Sequence, residues 1–461
     1  MKYFFLFIIF LNSICAFTQK VKVLDKQTGK IIKNVSVFNA KETINITTDK
    51  EGFADISEFD SIEIVIFSHL SYAVSRIRKS LLKSKNYIIY LTNDSEQLDE
   101  VVVSLFKREE RTNRIAEQIA VLNSKKIQRV SPQTSADLLA TIPGIKVQKS
   151  QFGGGSPVIR GMESNRVLLV VDGVRMNNAI YRKGHLQSAI TVTPNMLEKT
   201  EVVFGPSSVI YGSDALGGVI HYYTKTPKIA EENKVESQLF SRFSSVNDEI
   251  TTNISVEVRT QKWASLTSVS YSDFGDLKAG NKRAHGFDDW GKVFFYSENV
   301  NGNYKEYPTS NSNPNLQRNT GYTQTDVLQK FFVPLSKNTD LKVNIQYSLS
   351  SDIPRFDRLT ELKSGELKFA EWFYGPQKRF LASTQFLINS NNSWMENGAI
   401  TAAYQNLQES RIQRKFGSLD RSNREEVVDV FSLNGDFSVP LTEDKKRTLS
   451  YGFEFAYNDL K

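Results

Sequence analysis

Cysteine is all but missing: the 461-residue chain has one, Cys15. It lies four residues past the end of the apolar run at the N-terminus, so beyond it neither disulfides nor thiolate chemistry can carry a function. No stretch of eighteen or more apolar residues occurs, which leaves no segment fit to be a spanning helix. Catalytic signatures are missing as well. There is no His-Glu-x-x-His, no Gly-x-Ser-x-Gly and no Walker sequence. Ser80-Leu81-Leu82-Lys83 matches a penicillin-binding tetrad only in spelling, without the accompanying motifs. Histidine is scarce, and His69, His221 and His285 lack metal-ligand spacing. No enzymatic activity, resident cofactor or metal site is expected. The net charge of +7 is spread along the chain without a compact basic cluster, so a nucleic-acid partner is not expected either.

Aromatic residues are plentiful, with 30 Phe and 18 Tyr against 12 Pro, a balance that suits a chain built of many strands. The first residues read as a secretory signal over 1–18. Lys2 is followed by the apolar core Tyr3-Phe4-Phe5-Leu6-Phe7-Ile8-Ile9-Phe10-Leu11, with cleavage expected near Ala16 to Thr18. Lipid attachment at Cys15 is disfavoured, because Asn12-Ser13-Ile14 lacks a small residue just before it.

Four further segments follow. Residues 20–93 hold about seven short alternating runs separated by turn chemistry, enough for a small β-sandwich. Residues 94–110 are a polar linker with one β-prone run, Asp99-Glu100-Val101-Val102-Val103. Residues 111–228 mix helix and strand, and 230–461 alternate in strand fashion. The 20–93 segment resembles the carboxypeptidase-regulatory-like domain often found ahead of receptor plugs, a resemblance that implies no peptidase activity.

The 111–228 segment carries the most specific signals. Ser135-Ala136-Asp137-Leu138-Leu139-Ala140-Thr141-Ile142-Pro143-Gly144 reads as a short helix stopped by Pro-Gly, and Ile145-Lys146-Val147 as a strand. Val158-Ile159-Arg160-Gly161-Met162 follows. Arg166-Val167-Leu168-Leu169-Val170-Val171-Asp172-Gly173-Val174-Arg175 contains a run expected of a strand buried on both faces. Gly205-Pro206-Ser207-Ser208-Val209-Ile210-Tyr211-Gly212 and Ala215-Leu216-Gly217-Gly218 require tight turns and close backbone approaches. In this order the motifs resemble the plug domain of TonB-dependent outer-membrane receptors. One departure is Glu198-Lys199-Thr200-Glu201, where the family usually has Arg and Ile in the middle. Lysine keeps the charge without arginine's two-pronged hydrogen bonding. Gly153-Gly154-Gly155 reads as a flexible loop.

Asp99 to Val103 resembles the TonB box in sequence and position. The resemblance implies a partner, a TonB-type inner-membrane energy-coupling protein that grips the segment by strand addition. The fold class expected is therefore mainly β: a small β-sandwich, an α/β plug, then the N-terminal part of a transmembrane antiparallel β-barrel in outer-membrane lipid. Leu341, Val343, Ile345, Tyr347 and Leu349 alternate with polar residues. Phe380, Ala382, Thr384, Phe386 and Ile388 do the same, as do Leu449, Tyr451, Phe453, Phe455 and Tyr457. Residues 334–340 and 440–448 read as short periplasmic turns; 272–320, 351–378 and 406–426 read as long polar extracellular loops. Room for roughly ten strands after the plug, against the family's twenty-two, leads to the expectation of a truncated barrel.

An iron-containing cargo, haem or a siderophore-like chelate, is expected to be met by Arg175 and by the loop containing Tyr181, Arg182 and His185. His185 is a candidate haem-iron ligand, and Tyr181 and Arg182 stand near a propionate or an anionic chelate. Asp352-Ile353-Pro354-Arg355-Phe356-Asp357-Arg358-Leu359 is similar to a segment of haem and haemoglobin receptors. A glycan importer of the same architecture, or a passive porin or adhesin, is the alternative.

Overall fold

The computed structural model describes residues 19–26, 28–39, 43–69, 72–92, 101–102, 110–111, 117–180, 188–298, 307–390, 392–442 and 447–461. The signal segment, Asp99, Glu100 and Val103, and Tyr181, Arg182 and His185, lie outside these residues. The chain divides into two compact units, one ending at Val101 and the other running essentially from Ile115 to Lys461.

In the first unit seven short strands form two sheets. Lys20–Asp25 pairs antiparallel with Phe53–Asp55 and parallel with Ile88–Leu91. The other sheet has the order Asn45–Thr47, Ser36–Asn39, Ile64–His69, Tyr72–Arg78. The alternate residues Val21 and Val23 from one sheet and Val35, Val37, Val65 and Phe67 on the side of the other meet in a single core. Leu82, within the spurious Ser-x-x-Lys tetrad, is part of that core.

In the second unit, an α/β body packs against a wall of strands. The central sheet of the body has the order Ile119–Asn123, Leu197–Phe204, Gly218–Thr224, Val167–Val171, Val174–Arg175. All five residues of Val167–Val171 are buried. Val167, Leu169 and Val171 feed one apolar cluster and Leu168 and Val170 another, so the uninterrupted apolar run reflects a strand covered on both faces. The helix Ser135–Ala140 starts at a capping box in which Thr134 and Asp137 satisfy each other's backbone N–H. It ends before Pro143, and the next strand, Ile145–Gln148, pairs with Ser156–Ile159.

The wall is an open antiparallel sheet. Its long strands are Lys234–Ser244, Glu249–Arg259, Ala264–Phe274, Tyr322–Ser336, Thr339–Ser350, Lys378–Asn389, Asn397–Lys415, Arg421–Pro440 and Thr448–Leu460, each paired with the next. Burial along them is inverted relative to a water-soluble sheet. On Thr339–Ser350, Asn344, Gln346 and Ser348 are buried while Ile345 and Tyr347 are each 37% exposed. Leu239 and Phe243, or Ile250 and Ile254, repeat the pattern on other strands. Polar residues face the enclosed body and apolar residues face outward, the arrangement of strands with one face in lipid.

Two expectations about connections are corrected. Residues 406–426 are mostly not a loop: the ladder between Asn397–Lys415 and Arg421–Pro440 runs up to Arg414↔Arg421. Main-chain pairing carries these polar residues past the membrane-facing part, where no apolar alternation marks them. The glycine run is not a flexible loop either. Gly153, Gly154 and Gly155 are buried, and a Cβ on Gly153 would stand 2.8 Å from Ile353 Cγ2 and 2.9 Å from Tyr322 Cε1. Gly153 allows close approach of the α/β body to the wall, and Gly155 close packing within the body, where a Cβ would stand 2.5 Å from Ala136 Cβ.

Candidate functional site

The Asp172-Gly173 pair forms the two-residue turn between Val167–Val171 and Val174–Arg175, with Val171 opposite Val174. Both turn residues have positive φ, +47° and +85°, as a type I′ hairpin requires, and glycine takes the second position without a steric penalty. The turn pushes a carboxylate against the wall.

Asp172 accepts hydrogen bonds from Thr224 within the body, through the backbone N–H at 2.9 Å and the hydroxyl at 2.6 Å. It also accepts from two wall amides, Asn344 Nδ2 at 3.1 Å and Gln346 Nε2 at 3.0 Å. Lys330 Nζ completes the set with an ion pair at 3.1 Å. That ammonium also donates to the Thr224 carbonyl at 3.0 Å, so one wall lysine is tied to the body twice. The next residues continue the contact. Gly173 N–H donates to His221 Nε2 at 3.0 Å, and its carbonyl accepts from Asn434 at 3.4 Å. Arg175 donates through Nε to Glu454 at 2.8 Å, and Gln405 donates to the Arg175 carbonyl at 3.0 Å. Three of these four consecutive residues, Asp172, Gly173 and Arg175, are thus fastened to five wall strands by polar contacts.

The rest of the motif shapes this turn. Arg175 also donates to the carbonyls of Ser213, at 2.9 Å, and Tyr211. Tyr211 is buried, and desolvation, with help from Glu201, Asp436 and Glu454, raises its phenol well above the usual tyrosine range. The segment from Gly205 to Gly218 closes on itself. Gly205 N–H donates to Gly217 O, and Ser207 N–H, just after Pro206, to Ala215 O. Gly212 N–H closes the short helix Ser208–Tyr211 on Ser208 O. Arg160 and Gly161 form a tight turn bridging Ile159 and Met162. The Arg160 side chain donates to Gln118 and lies over Phe204. Lys199, at the sequence departure, pairs with buried Glu201 at 2.6 Å and stands over Tyr223.

Two more contacts hold the body. Arg242, braced by Glu249 at 2.9 Å, donates to the carbonyls of Ser131 and Pro132. At the end of the wall carrying the long connections, Phe152, Ala136 and Ile190 join Phe274, Tyr322, Ile353, Leu359, Trp372 and Tyr374 in an apolar lid. Arg355 of the Asp352–Leu359 segment lies 4.6 Å over Trp372, pairs with Asp357 and donates to the Tyr374 hydroxyl. Asp357 N–H reaches Ser150 O at 3.3 Å.

Of the residues expected at a ligand site, Arg175 has its guanidinium engaged within the protein. The loop holding Tyr181, Arg182 and His185 leaves the described residues at Ile180, which packs beside Leu407, Val428 and Val430. Val101–Val102 forms a strand that pairs with Glu110–Arg111. Lys330, Asn344, Gln346, Gln405, Asn434 and Glu454 were not singled out from the sequence. Their one signal is their position on the polar side of alternating strands.

Residues 111–219 match the TonB-dependent Receptor Plug Domain family. Over 129 residues, 27% of this chain and 20% of the relative, the sequence is 38% identical to the vitamin B12 transporter BtuB of Vibrio vulnificus. Over 127 residues, 27% of this chain and 18% of the relative, it is 35% identical to the hemin receptor of Yersinia pestis. The matched stretch thus spans about a fifth of these curated relatives. A ferric enterobactin receptor of Pseudomonas aeruginosa superposes with a TM-score of 0.55 at 16% identity, over 78% of this chain and 51% of that one. The copper transporter OprC does so with 0.54 at 14% identity, over 74% and 46%. These two share the fold. The plug-domain match over residues 111–219, seated against outward-apolar strands, supports a TonB-dependent outer-membrane receptor.

Proposed function

We propose that this receptor imports an iron-containing nutrient, haem or a siderophore-like chelate, by energy-coupled displacement of the plug. The observation that carries the reading is the polar fastening at Asp172 to Arg175. An apolar seal of similar extent would cost about 25 cal/mol per Å² to open to water. Hydrogen bonds exchanged for bonds to water cost about 0.5–1.5 kcal/mol each. Such a joint holds the plug at rest and parts under a pull. The names of similar proteins, a hemin receptor and a ferric enterobactin receptor, support an iron cargo.

The pull is assigned to a TonB-type inner-membrane protein acting on Asp99, Glu100, Val101, Val102 and Val103. Val101 and Val102 are already extended, as strand addition requires. Tyr181, Arg182 and His185 are assigned to the cargo, His185 as the candidate haem ligand. The test is Val102→Pro, which removes a backbone donor from the coupling strand. With haemin as the probe, surface binding read from the Soret band is expected to stay and intracellular haem to fall to background. Undiminished uptake would place the coupling segment elsewhere, and a passive pore would go on conducting regardless.

A further inference from the structure

Between the plug helix Ser124–Val130 and the outermost wall strand Lys234–Ser244 lies a small solvent-open cleft. Its polar lining includes Gln128, Asn195, Gln238 and Asn253, with two cations, Arg242 and Lys225. The cations differ. Arg242 is spent on Glu249 and on the carbonyls of Ser131 and Pro132. Lys225 is fixed by its backbone, whose N–H donates to Met196 O at 2.9 Å just past the strand Gly218–Thr224. Its ammonium has no hydrogen-bond or ion-pair partner among the described residues. Burial alone holds this lysine below its usual range.

A half-buried cation that shares a cleft with neutral amides and with apolar Ile127, Leu197 and Phe240 lacks the partner that buried charges ordinarily have. Nothing in the plug's own architecture uses it: it caps no helix and ties no strand to the wall. Its surroundings suit an oxyanion, which the ammonium would neutralise and the amides of Gln128, Asn195 and Gln238 would bond, Asn253 being spent on Ser268 and Val269. The position also matters. The cleft runs along the surface on which plug and wall must part, so a group held here is already between them.

We propose that the cleft at Lys225 is a transit site for an anionic cargo, with Lys225 binding a cargo carboxylate as it passes between the plug and the strand Lys234–Ser244. The inference rests on the import reading above and adds to it the charge of the cargo. The test compares wild type with Lys225→Met and Lys225→Arg in cells for which this receptor is the sole outer-membrane route. The probes form two pairs, each with an anionic and an uncharged member: haemin and its dimethyl ester, ferric dicitrate and ferrichrome. The expected result is a fall of about tenfold or more in import of the anionic member by Lys225→Met, the size of one charge-assisted hydrogen bond. Surface binding and import of the uncharged member should stay unchanged, and Lys225→Arg should restore the rate. Equal import of the anionic member by wild type and Lys225→Met would overturn the proposal. So would an equal loss for both members, which marks a merely structural lysine. If wild type imports no probe at all, the import reading itself falls, and this site falls with it.

Discussion

Removing the charge from Asp172 would leave Lys330 facing a neutral amide where water is largely excluded, since Lys330 is 6% exposed. Breaking one side of a buried pair costs about 3–5 kcal/mol, mostly because the remaining charge has no compensation. Asp172→Asn keeps the size and shape of the side chain, so its effect isolates that charge. We expect it to loosen the plug, lowering its unfolding midpoint and letting a large antibiotic such as vancomycin leak in. Asp172→Asn combined with Lys330→Met should recover most of the loss, giving a strongly non-additive cycle. Additive effects would mean that the ion pair is incidental. At this scale the sequence was half legible. Asp172-Gly173 announces its own turn, because the two positive φ values are a local requirement. Its wall partner Asn344 stands 172 positions away. No local pattern encodes a contact at that separation.

Period-two alternation was legible for an equally local reason: each wall strand has one lipid face and one enclosed face, and side chains point to them in turn. The pattern fades where the outward residues are polar too, as at Gln413 and Lys415, although Leu407, Ser410, Ile412 and Arg414 stay buried. Residues 406–426 therefore looked like a loop although their backbone stays paired. The glycine run failed differently. Composition cannot tell a glycine kept for freedom from one kept for closeness, and Gly153 is the second kind. A methyl group there must displace Ile353 or Tyr322 from the lid, an overpacking that costs about 1–3 kcal/mol. Gly153→Ala is thus expected to lower the thermal midpoint, whereas Gly280→Ala, with open space around it, should not. Equal melting of the two variants would restore the flexible-loop reading.

At the scale of the whole molecule, the two interfaces respond to solvent in different ways. At the Asp172–Arg175 joint plug and wall meet through polar contacts that water and urea can replace, and the apolar lid beside Phe152 is small. The wall strands hold one another through ladders whose unpairing in lipid or detergent costs several kcal/mol per exposed group. Urea should therefore release the plug well before the wall unravels. The tryptophans allow this order to be read. None occurs in residues 111–228, and the four in the chain are Trp263, Trp290, Trp372 and Trp394. Only Trp372, 8% exposed, is buried in the lid with Phe152 and Ile190 of the plug; the other three are at least 41% exposed. Displacing the plug opens the cluster that buries the Trp372 ring while the strands that carry it stay paired. An early red shift in emission is expected at low urea, absent from Trp372→Phe and preceding any loss of far-ultraviolet strand signal. A shift that arrives only together with wall collapse would mean that plug and wall unfold as one unit. In that case the Asp172 joint could not be the weak plane along which a pull opens the receptor.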